Sequence, residues 1–298
     1  MQNHNSKFKD NNRSSFTLLE LLVVIAIIAI LAGVVIASVV DLRQRAKESK
    51  GMQFSQNIRT TLSNELVGEW KFDEETNPGK DSSGYNHHGV VYTGLFPGGA
   101  VCNDYPDPSD PSCPVWISNG KVGGALQFDG VDDSVRVTGD TILNLSKGTI
   151  EAWFRISSMS GGISFANSGS WADERFVIHL GHVVNGKIKF TIANGSGYIL
   201  MNSLTTPSMG QWYHVVVTFN GSKKSIYING QLDNEQNTTL VPSTQNVPFF
   251  IGMTRGLAPD YFSGAIDEVR VYARELTARE IKQFYAEGLP RHLADNDK

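Results

Sequence analysis

The sequence predicts a mainly-β protein, a β-sandwich or barrel, carried on a long N-terminal α-helix. Three observations predict it. From Phe16 to Val40 the chain reads FTLLELLVVIAIIAILAGVVIASVV, almost pure Leu, Ile, Val and Ala. From Val67 to about Gly288, segments such as DSVRVTG, GTIEAWFRI and WYHVVVTFNG alternate apolar with polar residues, as half-buried strands do. Turn clusters such as Asn220-Gly221, Asn229-Gly230 and Asp129-Gly130 separate them, and many short strands at even spacing build a sandwich or barrel.

Composition sets the frame. A chain of 298 residues holds one or two domains, and 40% hydrophobic content is ample for a core. The net charge is only -4 and no basic stripe with interleaved aromatics follows the leader, so no nucleic-acid partner is expected. The 29 glycines suit a loop-rich β protein.

Residues 1–15 form a basic leader, with Lys7, Lys9 and Arg13 against Asp10. Positive charge ahead of an apolar run holds that end in the cytoplasm. The run from Leu21 to Val40 matches the roughly 20 residues a bilayer-spanning helix needs. It is too long for a secretory h-region, and no A-x-A site follows it. The expectation is a single-pass membrane helix over 16–40 with a cytoplasmic N-terminus. Glu20 interrupts the apolar run. With Thr17 it spells a capping box at a helix start; an acid in a spanning helix is also functional by default.

Ser15-Phe16-Thr17-Leu18-Leu19-Glu20 ahead of an unbroken apolar stretch resembles the class III signal of type IV prepilins and pseudopilins, over residues 7 to about 45. That resemblance implies cleavage between Ser15 and Phe16 by a prepilin peptidase, and N-methylation of Phe16. It implies residence in the inner membrane before assembly, then a place in a filament at the cell surface. It also implies that Glu20 is neutralised by the Phe16 amine of a neighbouring pilin subunit. The family favours Gly before the cut, where this chain has Ser15.

Residues 41–66 carry Leu42, Ala46, Phe54, Ile58, Leu62 and Leu66 at helical spacing, which predicts an amphipathic continuation of the helix. The stretch Thr93–Asn119 holds several prolines and both cysteines and reads as an inserted surface loop. Cys102 and Cys113 pair if this region is exported; in a reducing compartment they are two free thiols. Thr277 and Glu280 form a second capping box, which predicts a last helix over Thr277–Glu287 ahead of a tail at 289–298.

Over 67–288 a second resemblance appears. Val67-Gly68-Glu69-Trp70-Lys71-Phe72-Asp73, Asp81-Ser82-Ser83-Gly84, Gly124-Ala125-Leu126-Gln127-Phe128-Asp129-Gly130, Trp212-Tyr213-His214-Val215 and Ser263-Gly264-Ala265-Ile266-Asp267-Glu268-Val269-Arg270 are similar to the laminin-G-like, concanavalin A-like jelly roll. It implies two antiparallel sheets packed face to face, glycan or protein binding, and often a structural Ca2+. Calcium takes six to eight oxygens. The candidate ligands are Asp73, Asp81, Asp132, Asp133 and Asp267, with Asp73 and Asp267 singled out because they end strands near the two termini of the β region. Asx-turns are the competing explanation for such aspartates.

The same fold carries glycoside hydrolases. Retaining cleavage needs two carboxyls about 5 Å apart, which hydrolases of this fold place as E-x-D-x-E. Neither Glu151-Ala152-Trp153 nor Asp267-Glu268-Val269 has that spacing, and no G-x-S-x-G occurs, so no catalysis is expected. His179 and His182 point to opposite faces of a strand and make no metal pair; His214 reads as packing. Trp171 and Tyr198 are aromatics that strand patterning leaves unexplained, and they are the candidate ligand-binding residues. The expected function is a pilin-like filament subunit that displays a binding jelly roll for adhesion. The alternative is a non-polymerising, membrane-anchored lectin or glycan-acting enzyme.

Overall fold

The computed structural model describes residues 17–33, 35, 39, 42, 60–95, 98–102, 112–137, 145–158, 176–180 (backbone only), 186–194, 196–242, 248–253 and 261–289. The chain divides into two compact units, residues 1–57 and 58–298.

In the first unit, helix α1 runs over residues 18–33, and its described side chains are all exposed. Its start is the capping box the sequence spells: the Thr17 amide and hydroxyl both donate to Glu20 Oε2 at 2.9 Å, and the Glu20 amide donates to Thr17 Oγ1. Among the described residues no helix is long and apolar enough to cross a membrane. This overturns the expected pilin-type transmembrane helix, and with it the single-pass membrane location with a cytoplasmic N-terminus. Hydropathy from Phe16 to Val40 measures how apolar the chain is, and a span also needs roughly 20 residues on one helix, where the longest unbroken run of described helical residues is 18–33.

The expected amphipathic helix over 41–66 lies largely outside the described residues. Its last part is a short helical turn at 60–62, where Leu62 is buried, and Leu66 already opens a strand.

The second unit is the β-sandwich, every ladder antiparallel. The large sheet runs in the order β13 (Gln231–Asn237), β12 (Lys223–Ile228), β11 (Trp212–Phe219), β7 (Gly148–Ile156), β15 (Ser263–Tyr272), β5 (Ala125–Asp129) and β4 (Val115–Ile117), with β1 (Leu66–Trp70) also paired to β15. Two smaller sheets complete it. One has the order β14 (Phe249–Ile251), β6 (Ser134–Val137), β2 (Gly89–Thr93) and β3 (Ala100–Val101); the other is β10 (Tyr198–Asn202), β9 (Ile188–Ala193) and β8 (Phe176–Leu180). All three share one core, in which Phe154, Val217 and Ile266 of the large sheet meet Val135 and Phe249 of the second and Phe190 and Met201 of the third.

Strand alternation explains the faces. In β7, Ile150, Ala152, Phe154 and Ile156 enter that core, and Glu151 and Trp153 point the other way. That other face is still buried, because helix α2 (Ala278–Glu287) covers it. Its Tyr285 stacks on Trp153 at 5.7 Å and its Phe284 on Tyr272 at 6.0 Å. The α2 N-terminus is the predicted capping box, with Thr277 accepting from the Glu280 amide and Glu280 reaching back. In β15 the alternation slips once: Ile266 and Val269 both face the core, and the ladder with β7 shifts between Asp267 and Arg270. Glu268 sits in this bulge at φ 50°, a left-handed conformation rare for a residue with a Cβ.

The segment expected as one inserted loop contains β3 and β4. These are edge strands of two different sheets, and the Cys102–Cys113 disulfide joins the end of one to the approach of the other. Closing so short a loop stabilises by about 3 kcal/mol in the chain-entropy picture.

Candidate functional site

Among the described residues, one group of three acidic side chains comes together: Asp129, Asp132 and Asp133, with one carboxylate oxygen of each within 4.8 Å of the others. They occupy the turn from β5 to β6. Asp129 Oδ1 accepts from the Val131 amide at 2.7 Å, and Asp133 Oδ2 accepts from the Asp129 amide at 2.7 Å. Asp133 is 2% exposed and its Oδ1 is buried with no hydrogen-bond partner. Burial pushes its carboxyl up to about 8; the Asp129 amide opposes this, and the charges of Asp129 and Asp132 add to it. A buried acid with an unused oxygen beside two other acids is a donor set that can chelate a metal. The sequence reading found Asp132 and Asp133 and missed Asp129. The D-G-V-D-D spacing was the available signal.

The other expected ligands lie outside this group. Asp267 is fully buried in the β15 bulge, where its Oδ2 accepts from the Lys121 and Val122 amides at 2.8 and 2.9 Å. Asp73 Oδ1 accepts from the Gly124 amide at 3.0 Å. The two carboxylates thus hold the same 120–124 turn. The chemistry seen there is backbone anchoring. At Gly123, φ is 74° and an added Cβ would stand 2.1 Å from Asp73 Oδ1, so glycine is required at this approach. Burial pushes Asp267 up to about 8 and the nearby Asp73 charge adds to it, against the two amides and Arg270. Asp81 is an Asx-type anchor: its carboxylate accepts from the amides of Glu69, Ser83 and His87 and from the Ser83 hydroxyl. Burial alone would raise its pKa; those donors together hold it below the ordinary range.

The sequence reading missed a buried charge cluster in the domain. Under α2, Arg270 meets Glu69 at 2.8 Å, Glu151 at 3.2 Å, and Glu268. Glu151 Oε1 also lies 2.9 Å from His214 Nε2, with both side chains fully buried. Burial works against the Arg270 charge, but the surrounding carboxylates win and its pKa is raised. These residues come from β1, β7, β11 and β15, so only the sheet order brings them together. Lys224 was equally unforeseen. Buried in β12, it donates to the carbonyls of Phe190 and Ile199 and so ties the large sheet to β9 and β10; burial pulls its amine down to about 7.

Of the two aromatic candidates, Trp171 lies outside the described residues. Tyr198 is 60% exposed at the start of β10. Trp116 by contrast is a packing residue whose indole donates to the Phe72 carbonyl. Ser15 and Phe16 lie outside the described residues. Glu20 has its carboxyl held below the usual range by the Thr17 amide and hydroxyl.

Comparison with known proteins supports both halves of the sequence reading. Residues 129–282 match the family model of the concanavalin A-like lectin/glucanases superfamily, and residues 10–36 match the prokaryotic N-terminal methylation motif. The adhesion G-protein coupled receptor D1 of Homo sapiens is 28% identical over 125 residues, which is 38% of this chain and 14% of the receptor, so the chain spans a small part of that relative. Domain 4 of AbnA, an extracellular arabinanase from Geobacillus stearothermophilus solved with arabinotriose, aligns at TM-score 0.58 and 20% identity, covering 74% of this chain and 98% of that one. The binding domain of Paraclostridial Mosquitocidal Protein 1 aligns at 0.56 and 18%, over 76% and 53%. The binding domain of botulinum neurotoxin serotype D aligns at 0.51 and 14%, over 76% and 53%. At such identities the likeness is one of fold.

Proposed function

The chain belongs to the concanavalin A-like lectin/glucanases superfamily, and from that premise we propose that it is a non-catalytic binding protein. Its jelly roll, residues 67–288, recognises a glycan or a protein and is presented by an N-terminus processed as in the type IV prepilins. The observation that carries this reading is the joining of a methylation motif at 10–36 to a lectin-type sandwich in one chain. Two facts favour binding over catalysis. Several solved proteins of this fold are named as binding domains. Glu151 and Glu268, the glutamates weighed above for glycosidase chemistry, pair with Arg270 in a buried cluster instead of flanking an open cleft.

Filament assembly is part of the same reading. Helix α1 exposes an apolar surface on all sides, and packing against copies of itself removes that surface from water. Cleavage between Ser15 and Phe16 frees an amine that neutralises Glu20 of a neighbouring subunit. Asp129, Asp132 and Asp133, joined by backbone carbonyls or water, hold a Ca2+ whose charge allows Asp133 to ionise in its buried position.

Mass spectrometry of the chain expressed with a prepilin peptidase tests the reading. The expected mature N-terminus is N-methyl-Phe16, and recovery of the chain starting at Met1 overturns it. Glu20→Ala is expected to be cleaved normally yet fail to assemble. Filaments formed by that variant would refute the pairing.

A further inference from the structure

A groove of about 460 Å³ lies where β10 approaches β13, lined by Lys187, Asn202, Leu204, Glu235 and Gln236 among others. Its walls are fixed by hydrogen bonds the chain makes to itself. The Asp233 carboxylate accepts from the amides of Leu204 and Thr205, at 2.6 and 3.0 Å. Asn234 Nδ2 donates to the Asn202 carbonyl at 2.8 Å, and Lys187 Nζ to the Leu204 carbonyl at 2.9 Å. Lys224 anchors the far side of β10 through the Ile199 carbonyl. The groove is therefore set before any ligand arrives.

What the groove leaves unused indicates its occupant. Among the described residues, the side-chain amides of Asn202 and Gln236 have no partner, so each offers a donor and an acceptor to the groove. Alternation along β10 puts Tyr198, Leu200 and Asn202 on one exposed face and sends Met201 into the core. Tyr198 and Asn202 are about 13 Å apart along the strand. An aromatic face at one end of a strip and free amides at the other suit a ligand with apolar ring faces and hydroxyl edges. The charges of the groove cancel: Lys187 and Lys223 stand against Asp233 and Glu235, with Glu235 paired to Lys223 at 3.1 Å. These four groups leave no surplus positive charge to draw a sulfated or sialylated chain.

We propose that the groove between β10 and β13, with the β10 face that runs from it to Tyr198, binds a neutral oligosaccharide, Tyr198 stacking on one sugar ring and the amides of Asn202 and Gln236 bonding to the hydroxyls of another further along the chain. The proposal rests on the reading of the domain as a binding module. It is tested by applying the full chain to an array of neutral, sialylated and sulfated oligosaccharides, and then titrating the best neutral hit. Tyr198→Ala and the double variant Asn202→Ala/Gln236→Ala are each expected to weaken that hit at least tenfold while the melting temperature stays unchanged. Neutral-glycan binding that both variants retain overturns the subsite and leaves the binding reading standing. Binding confined to acidic glycans, or to no glycan, also overturns it. In the latter case a protein ligand is left as the sole form of the binding reading. A variant that melts lower is replaced by Tyr198→Phe and Asn202→Asp, for which retained stacking and altered amide chemistry predict small and large losses respectively.

Discussion

Beneath α2, Glu69, Glu151 and Glu268 converge on Arg270. In the β5–β6 turn, Asp129, Asp132 and Asp133 converge with no cation of the described residues in ion-pair contact. The first takes three carboxylates out of water and the second takes one, Asp133, which is costly unless the charge is paired or removed. The first is completed by the chain's own guanidinium, so its chemistry is finished when the protein folds. The second is left with a buried, unpartnered oxygen on Asp133. A cation supplied by the chain itself marks structure, whereas three acids gathered without one leave a place for a cation from outside; Asp267, whose Oδ1 is also buried without a partner, belongs to no such group of three.

The strongest way to break the comparison is to remove the guanidinium. Arg270→Ala leaves three buried carboxylates and His214 without their cation. Breaking such a network from one side costs about 3–5 kcal/mol, which urea denaturation measures directly. Changing Glu69, Glu151 and Glu268 to Gln in the same background is expected to restore part of the loss, since the repulsion goes with the charges. A loss under about 1 kcal/mol for Arg270→Ala would mean that water reaches the cluster and that the two sites do not differ in kind.

The opposite behaviour is expected in the β5–β6 turn. The Asp133 carboxyl is held near pKa 8, well above its unfolded value. The folded state thus binds a proton that the unfolded state has lost. Stability from this group is full at low pH and declines as pH rises through the window from about 4 to about 8. Asp267 titrates in the same direction and adds to the slope. From pH 5 to pH 7 each group is expected to remove on the order of 2 kcal/mol, seen as a falling melting temperature in chelator. Asp133→Asn removes roughly half of that slope. Ca2+ at pH 8 is expected to raise the melting temperature of the natural sequence and leave that of Asp133→Asn unmoved. A calcium response that survives the substitution would place the ion elsewhere.

Much of this architecture was legible in the chain. Alternation in GTIEAWFRI and WYHVVVTF gave the strands, and Thr-x-x-Glu gave both helix starts, because these patterns follow from local geometry over a few residues. The disulfide was readable as a pairing of two close cysteines. Its role as a link between edge strands of different sheets was not. The Arg270 cluster draws on residues as far apart as Glu69 and Arg270, and nothing local announces that β1, β7, β11 and β15 will be neighbours. The bulge that turns Glu268 towards Arg270 breaks the alternation rule, and such a break becomes visible only once the partner strand is in place. The transmembrane expectation failed because composition speaks to what a segment buries, while a span is also a matter of helix length, and among the described residues no helix is long and apolar enough.

Asp81 sharpens the comparison with the smallest effect. It is as buried as Asp133, at 5% against 2% exposure, and among the described residues has no Arg or Lys in ion-pair contact. Its charge is spread over backbone amides and a serine hydroxyl, which hold its pKa below the ordinary range. Its contribution is present above the unfolded pKa near 3.9 and fades as pH falls below it, the reverse of Asp133. Asp81→Asn keeps one acceptor and replaces the other with a donor that faces donors, so a loss of about 1 kcal/mol is expected at pH 7. The loss should shrink towards pH 3, where the natural Asp81 is itself becoming neutral, and Ca2+ should leave it unchanged. If calcium rescued Asp81→Asn, the distinction between an acid satisfied by the backbone and one left for a metal would collapse.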